Sequence, residues 1–405
     1  MSKLNIKSGT SSLSITEPYA FRTLELNPPI QSINKSSFLN DLGRRLTVNS
    51  HSRIGIVVSD KTRLCGYDIY IPWICEYIEA IGVDPLNITF YIAYGTHPVQ
   101  SDDESLAAYG ESFLKYKFVH HNCDDYDIMT TLGETSYGTK AQVRKDIFSN
   151  DKLILFGAIS HHYFAGYGGG RKLIFPGLAS RDSIYQNHKL FIDFEAGGLH
   201  PGCQSGELDI NPVALDLEEI DNLLPEKIII SGILNDKGEV AILNINENYS
   251  DFRATCQIYK DSYHVEKEEK YDLIIASAGG YPKDINFIQS HKALHNAASF
   301  VVDGGKLILI AECADGIGNK AFINIFSGSK VDIINDLKIN YSGNGGTALA
   351  TLNKSSRIEV SMFTSLSDEY CKRMGIHKVN LQQINNIIDN EIGNIGLIKN
   401  ASIIF

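Results

Sequence analysis

The sequence predicts an α/β protein folded as more than one domain. Three observations lead there: a length of 405 residues, short β-branched runs alternating with helical patterns, and glycine-rich, ionisable loops after those runs. At about 150 residues per domain the length favours two folded units. Apolar residues make up 43% of the chain and charged residues 21%, enough to bury extensive cores and unlike a disordered composition. The runs at 54–58 (IGIVV), 88–93 (ITFYIA), 153–156 (LILF), 227–230 (KIII), 273–276 (LIIA) and 307–310 (LILI) read as buried strands. Helical patterns cover 70–80, 183–191, 212–223, 287–299 and 329–337. Open α/β sheets hold ligands beyond the carboxyl ends of their strands, so the loops that follow strands are the ones to inspect.

The charged stretch 260–270 (KDSYHVEKEEK) precedes a fresh strand, loop and helix beginning at Tyr271. We place the domain boundary there, giving an N-terminal domain over 1–265 and a C-terminal α/β domain over 266–394, with the tail 395–405 free to return to the first. The same stretch would also serve as a solvated loop within one large domain. The 37 Lys and Arg against 48 Asp and Glu leave a net charge of -11, which offers no electrostatic footprint for nucleic acid or an anionic membrane. No stretch approaches the ~18 apolar residues of a membrane span, and the opening MSKLNIKSGTSS lacks the apolar core of a secretory signal, so a cytoplasmic protein is expected. Seven cysteines without CxxC spacing read as small buried hydrophobes, not as disulfides or a zinc site.

Four loops concentrate the chemistry. Asp60-Lys61-Thr62-Arg63 follows the first strand and sets a carboxylate and a guanidinium on one turn. The Arg fork suits a planar carboxylate, and a structural Asp–Arg pair capping the next helix is an equal reading. Gly95-Thr96-His97-Pro98 follows the second strand and holds an imidazole between a flexible and a fixed residue. After 153–156 the chain runs from Gly157 through His161, His162, Tyr163, Phe164 and Ala165-Gly166-Tyr167-Gly168-Gly169-Gly170-Arg171-Lys172 to Pro176-Gly177 and Asn187-His188. In extended backbone neighbouring side chains oppose each other, so unless the chain turns between them one of His161 and His162 is active and the other supporting. The glycines either leave backbone N–H groups open to a phosphate, with Arg171 and Lys172 adding positive charge, or form a flexible turn. Gly279-Gly280-Tyr281-Pro282-Lys283-Asp284 follows the strand at 273–276, and Gln289 and Lys292 then share one helical face. Two imidazoles on opposite faces of one carbon are what a racemase or epimerase needs.

These segments, in this order over about residues 50–320, resemble the nickel-dependent lactate racemase family. The resemblance implies two α/β domains with the active site in the cleft between them, the N-terminal one catalytic and cofactor-binding and the C-terminal one closing the site, and an isomerase that inverts C2 of a 2-hydroxy acid by proton-coupled hydride transfer through a 2-keto acid. It implies a nickel-pincer nucleotide cofactor (nickel with pyridinium-3-thioamide-5-thiocarboxylic acid mononucleotide), joined to Lys172 through a thioamide and completed by His188 at the metal, and so cofactor-maturation enzymes as partners. The acid/base histidines then fall on His97 and His162, cofactor contacts on Gly168, Gly169, Gly170 and Arg171, and substrate contacts on Asp60, Arg63, Gln289 and Lys292. Hydride transfer suits this chemistry because the C–H of a simple 2-hydroxy acid is too weakly acidic for an imidazole alone. Three departures bear on the substrate: Gly66 where many relatives have proline, Ile288 where an aromatic hydroxyl is frequent, and Gly343-Asn344-Gly345-Gly346 where relatives show a Gly-x-His-Lys-like segment. They imply a 2-hydroxy acid larger or more polar than lactate, malate and sugar acids included. Two rival readings are a non-catalytic ligand-binding homologue and a metal-dependent hydrolase built from His161, His162 and His188.

Overall fold

The expected strands assemble into two sheets, one in each of two compact units. The computed structural model describes residues 2–265 and 269–404. Unit 2 comprises Pro28–Phe191 and Pro201–Ser262, and unit 1 takes the chain up to Asn27, Ile192–His200 and the chain from Tyr263 onward. The boundary placed at 265/266 has its second residue outside the described residues, whereas the described chain crosses between units at Ser262/Tyr263. Assignment of the first 27 residues and of the tail differs from the sequence reading, for a reason of strand pairing. Arg22–Thr23 adds in parallel to Ile395–Ile398, which itself pairs with Tyr271–Ser277, so both ends of the chain group with unit 1. A two-residue strand carries no periodicity for a sequence reading to find.

In unit 2 six strands lie in the order Lys117–His120, Ile88–Ala93, Ile54–Ser59, Lys152–Ala158, Lys227–Leu234 and Val240–Asn246. All neighbours are parallel except the last pair. Chain order runs outward from Ile54–Ser59 on one side and from Lys152–Ala158 on the other, so the topology reverses between these two strands. Both are apolar because each is buried along its length, as a parallel strand covered on both faces must be. The helix Tyr67–Ala80 packs Tyr70, Ile71, Ile74 and Ile78 into the same core as Ile54, Ile56 and Val58. It starts from Gly66 at φ +58°, a left-handed conformation that glycine adopts freely and proline cannot, so the departure at Gly66 has a backbone basis.

In unit 1 six parallel strands run in the order His377–Lys378, Glu359–Phe363, Val301–Ile310, Tyr271–Ser277, Ile395–Ile398, Arg22–Thr23. Helix Phe287–Ala298 starts at an Asn286 cap, and Lys330–Ile339 at a Ser329 capping box. All seven cysteines are buried and unlinked, and among the described residues no helix is long and apolar enough to cross a membrane.

Candidate active site

The reversal point of unit 2 is where an open α/β sheet offers a crevice, and three of the chemistry-bearing loops leave the sheet there. The Ile54–Ser59 and Lys152–Ala158 ladder ends at Val58 and Phe156. Beyond it the buried Tyr67 hydroxyl bridges the parting strands, accepting from Ser59 N at 2.9 Å and donating to Phe156 O at 3.0 Å. Asp60 follows at once. It is only 3% exposed, and its carboxylate accepts from Thr62 N at 2.8 Å, Thr62 Oγ1 at 2.6 Å and His97 Nδ1 at 2.6 Å. Burial pushes this carboxyl upward, but the hydrogen bond and charge of His97, the charge of Arg63 and the Thr62 hydroxyl override it and hold the group well below the usual carboxylate range. An ionised carboxylate only accepts, so the His97 proton sits on Nδ1 and Nε2 is the atom left to act on a substrate. Gln100 ties the two loops together, its Oε1 accepting from Lys61 N at 2.9 Å.

The third loop is a hairpin in which Ser160–His162 pairs with Gly166–Gly168. Its alternation separates the adjacent histidines. His161 packs edge-on against Tyr259, ring centroids 4.8 Å apart, with Tyr167 at 5.3 Å. His162 meets Phe164 at 4.3 Å and stacks with Tyr163 at 5.6 Å. The Phe164 ring is the hub of the site. His188 approaches it at 4.8 Å and Lys172 Nζ lies 5.2 Å from its centroid, so His162, Lys172 and His188 surround one aromatic ring. Burial, with the charges of Lys172 and Arg63 adding repulsion, lowers the His188 pKa to about 3. Its ring is therefore neutral across the ordinary pH range. Its Nε2 is sealed from solvent and has no hydrogen-bond partner among the described residues, an arrangement suited to a ligand atom.

Asn187, beside His188 in the sequence, and residues that the sequence did not single out hold the His188 helix in place. That helix, Arg181–Lys189, is capped by Ser180 and carries Asn187, whose amide donates to Asp216 Oδ2 at 2.7 Å. Asp216 is fully buried and also accepts from the hydroxyls of Thr135 and Thr139. Just ahead of that helix, Ala179 O accepts from Nε2 of the buried His121 at 3.0 Å. An Asp on an amphipathic helix reads as solvated, so only the fold exposes the role of Asp216.

Arg171 does not join this group. It is 4% exposed, stacked over Tyr249 at 4.8 Å and Phe252 at 5.6 Å, and it lines a separate cavity. The glycines before it are demanded by close packing. A Cβ on Gly169 would meet Ala158 O at 2.3 Å, and one on Gly170 would meet Phe252 at 2.6 Å; both residues have positive φ. Gln289 and Lys292 lie in unit 1, where Lys292 Nζ donates to Gln289 Oε1 at 3.0 Å. With His161 facing Tyr259, the three-histidine set of a hydrolase is split, and among the described residues no three His, Cys, Asp or Glu are grouped to hold a metal.

Residues 35–198 match the lactate racemase N-terminal domain family and residues 266–348 the lactate racemase C-terminal domain family. The chain is 29% identical over 320 residues to the lactate racemase of Thermoanaerobacterium thermosaccharolyticum, covering 77% of this chain and 73% of that one. It is 28% identical over 271 residues to the lactate racemase of Lactiplantibacillus plantarum, covering 66% and 62%. The structure of the lactate racemase apoprotein from T. thermosaccharolyticum superposes with a TM-score of 0.85 at 25% identity, covering 100% of this chain and 99% of that one. A Thermotoga maritima protein shares the fold at a TM-score of 0.70 and 14% identity, covering 92% of this chain and 98% of that one.

Proposed function

Since this chain belongs to the lactate racemase family, we propose that it is a racemase or epimerase inverting C2 of a 2-hydroxy acid. One observation carries the reading: His162, Lys172 and His188 gather around the Phe164 ring, while the charges of Arg63 and Lys172 both act on His188 and Asp60 binds His97.

The residues present fit a nickel-pincer nucleotide. His188 offers a buried neutral nitrogen with nothing bonded to it among the described residues, and Lys172 brings an amine to the same ring. Lys172 would tether the nucleotide and His188 would hold its nickel, so the host must supply enzymes that build the cofactor. When bound, that group supplies a reversible hydride acceptor, which allows inversion through a planar 2-keto acid. This chain's own residues do the rest. Asp60 keeps Nε2 of His97 free to take the hydroxyl proton, and His162 performs the same service for the opposite face. Arg63 is proposed to clamp the substrate carboxylate, and its charge also favours the ionised Asp60. In unit 1 Gln289 and Lys292 are proposed as further substrate contacts.

The test uses full-length protein matured with the cofactor-building enzymes and paired enantiomers or epimers of 2-hydroxy acids, read by chiral separation. The expected result is inversion together with a mass adduct on the Lys172 peptide that is absent from Lys172→Ala. His188→Ala keeps the adduct and loses nickel. Activity in unmodified, metal-free protein would overturn the cofactor assignment, and nickel-loaded protein inert toward every pair would point to a binding homologue.

A further inference from the structure

Unit 2 holds a polar cavity that the reaction above does not use. Its volume is about 260 Å³, and Arg171, Lys227, Tyr249 and Phe252 are among its walls. Three carboxylates also border it, and each has its own cation. Asp221 pairs with Lys227 at 3.1 Å, Glu226 with Lys152 at 3.4 Å, and Glu247 with Arg45 at 2.6 Å. Arg171 is the exception. It is 4% exposed, no carboxylate among the described residues lies within ion-pair distance, and Nη1 is sealed from solvent without a hydrogen-bond partner among them. The rings of Tyr249 and Phe252 lie against the guanidinium but neutralise no charge. A buried cation with an unmet donor and no carboxylate partner among the described residues is the counterpart of an absent anion, and a planar fork is the side chain best shaped to receive one.

We propose that this cavity is a binding site for a small oxyanion, phosphate or carboxylate, received by the Arg171 guanidinium. The volume admits a compact molecule, and the pairing of the other charged walls leaves Arg171 as the recognising group. Because Arg171 and Lys172 are consecutive on one short turn, Gly170–Leu173, occupancy of the cavity bears on the segment that carries Lys172.

Inorganic phosphate and acetate, titrated separately into the full-length protein by calorimetry, test the site and distinguish its two sources of oxyanion. Binding of one of them is expected with Kd at or below about 1 mM. It should weaken about tenfold or more in Arg171→Gln and by a smaller factor in Arg171→Lys, which keeps the charge and loses the fork. Arg63→Gln, which alters the substrate site, should change it less than about twofold. If Arg171→Gln fails to fold by circular dichroism, Arg171→Lys carries the comparison. No binding of either anion, or equal affinity in folded Arg171 variants, overturns the proposal. Binding lost in Arg63→Gln but kept in the Arg171 variants also overturns it, by placing the anion in the substrate site, and leaves the racemase reading standing.

Discussion

Asp60→Asn isolates what the buried carboxylate does for His97. The native carboxylate receives three hydrogen bonds, two from Thr62 on Oδ1 and one from His97 on Oδ2. Asparagine keeps the shape but has one acceptor oxygen. Turned toward Thr62, that oxygen keeps both Thr62 bonds and leaves the amide N–H facing Nδ1. The imidazole must then accept on Nδ1 and carry its proton on Nε2, where it can no longer take a hydroxyl proton. Losing a positioned general base costs about 10²- to 10⁴-fold in rate, or about 3–5.5 kcal/mol of barrier at 1.36 kcal/mol per tenfold. The effect on stability is smaller. A charge-assisted hydrogen bond of about 1.5–3 kcal/mol is lost, but a charge no longer has to be buried at a 3% exposed position. The assay is the initial rate of inversion from each enantiomer, with circular dichroism confirming the fold. Enantiomers have equal free energy, so kcat/KM must fall equally in both directions even though His97 serves as base in only one. An Asp60→Asn enzyme within about threefold of wild type would refute the dyad.

Three further outcomes follow from the geometry. His162→Ala should lower inversion by about 10²-fold or more, while His161→Ala, which removes a ring from the Tyr259 side, should change it less than about threefold; equal losses from both would refute the division of the pair. His121 is 1% exposed and burial lowers its pKa to about 4, against the opposing bond to Ala179, so the unfolded chain takes up the proton first as pH falls. Stability should therefore decline below about pH 6.5 and level off below about pH 4, with about 2 kcal/mol lost to this residue by pH 5. Urea unfolding at pH 7 and pH 5 should show that share missing from His121→Gln, and an identical decline in the variant would refute the assignment. Asp216→Ala leaves Thr135, Thr139 and Asn187 without their acceptor and should cost about 3 kcal/mol, Asp216→Asn less. Thermal melts check the cost, and nickel retention in matured protein reports whether the His188 helix has loosened.

The strands and the division between His161 and His162 were legible because both rest on local rules. A β-branched apolar run is a buried parallel strand almost wherever it pairs, and a period of two separates neighbours whatever the rest of the chain does. That the loops bearing His97 and His162 leave the same end of one sheet was legible by another route, since each follows a parallel strand of that sheet. What could not be read depends on partners distant in sequence. Arg171 and Lys172 are adjacent cations in one glycine-rich turn, and nothing local separates them; the fold does so by setting Tyr249 and Phe252 against one and Phe164 against the other. Phe164 itself has no polar atom, yet three of the candidate side chains, His162, Lys172 and His188, lie against its ring. The glycines show the same dependence. Their positive φ is a local property, but the reason no Cβ fits is the carbonyl of Ala158 or the ring of Phe252, residues that reach the turn only in the folded sheet. A glycine-rich segment beside a lysine therefore argues for a tightly packed turn before it argues for an open anion cradle. Here the packed turn is what aims Arg171 and Lys172 into different surroundings.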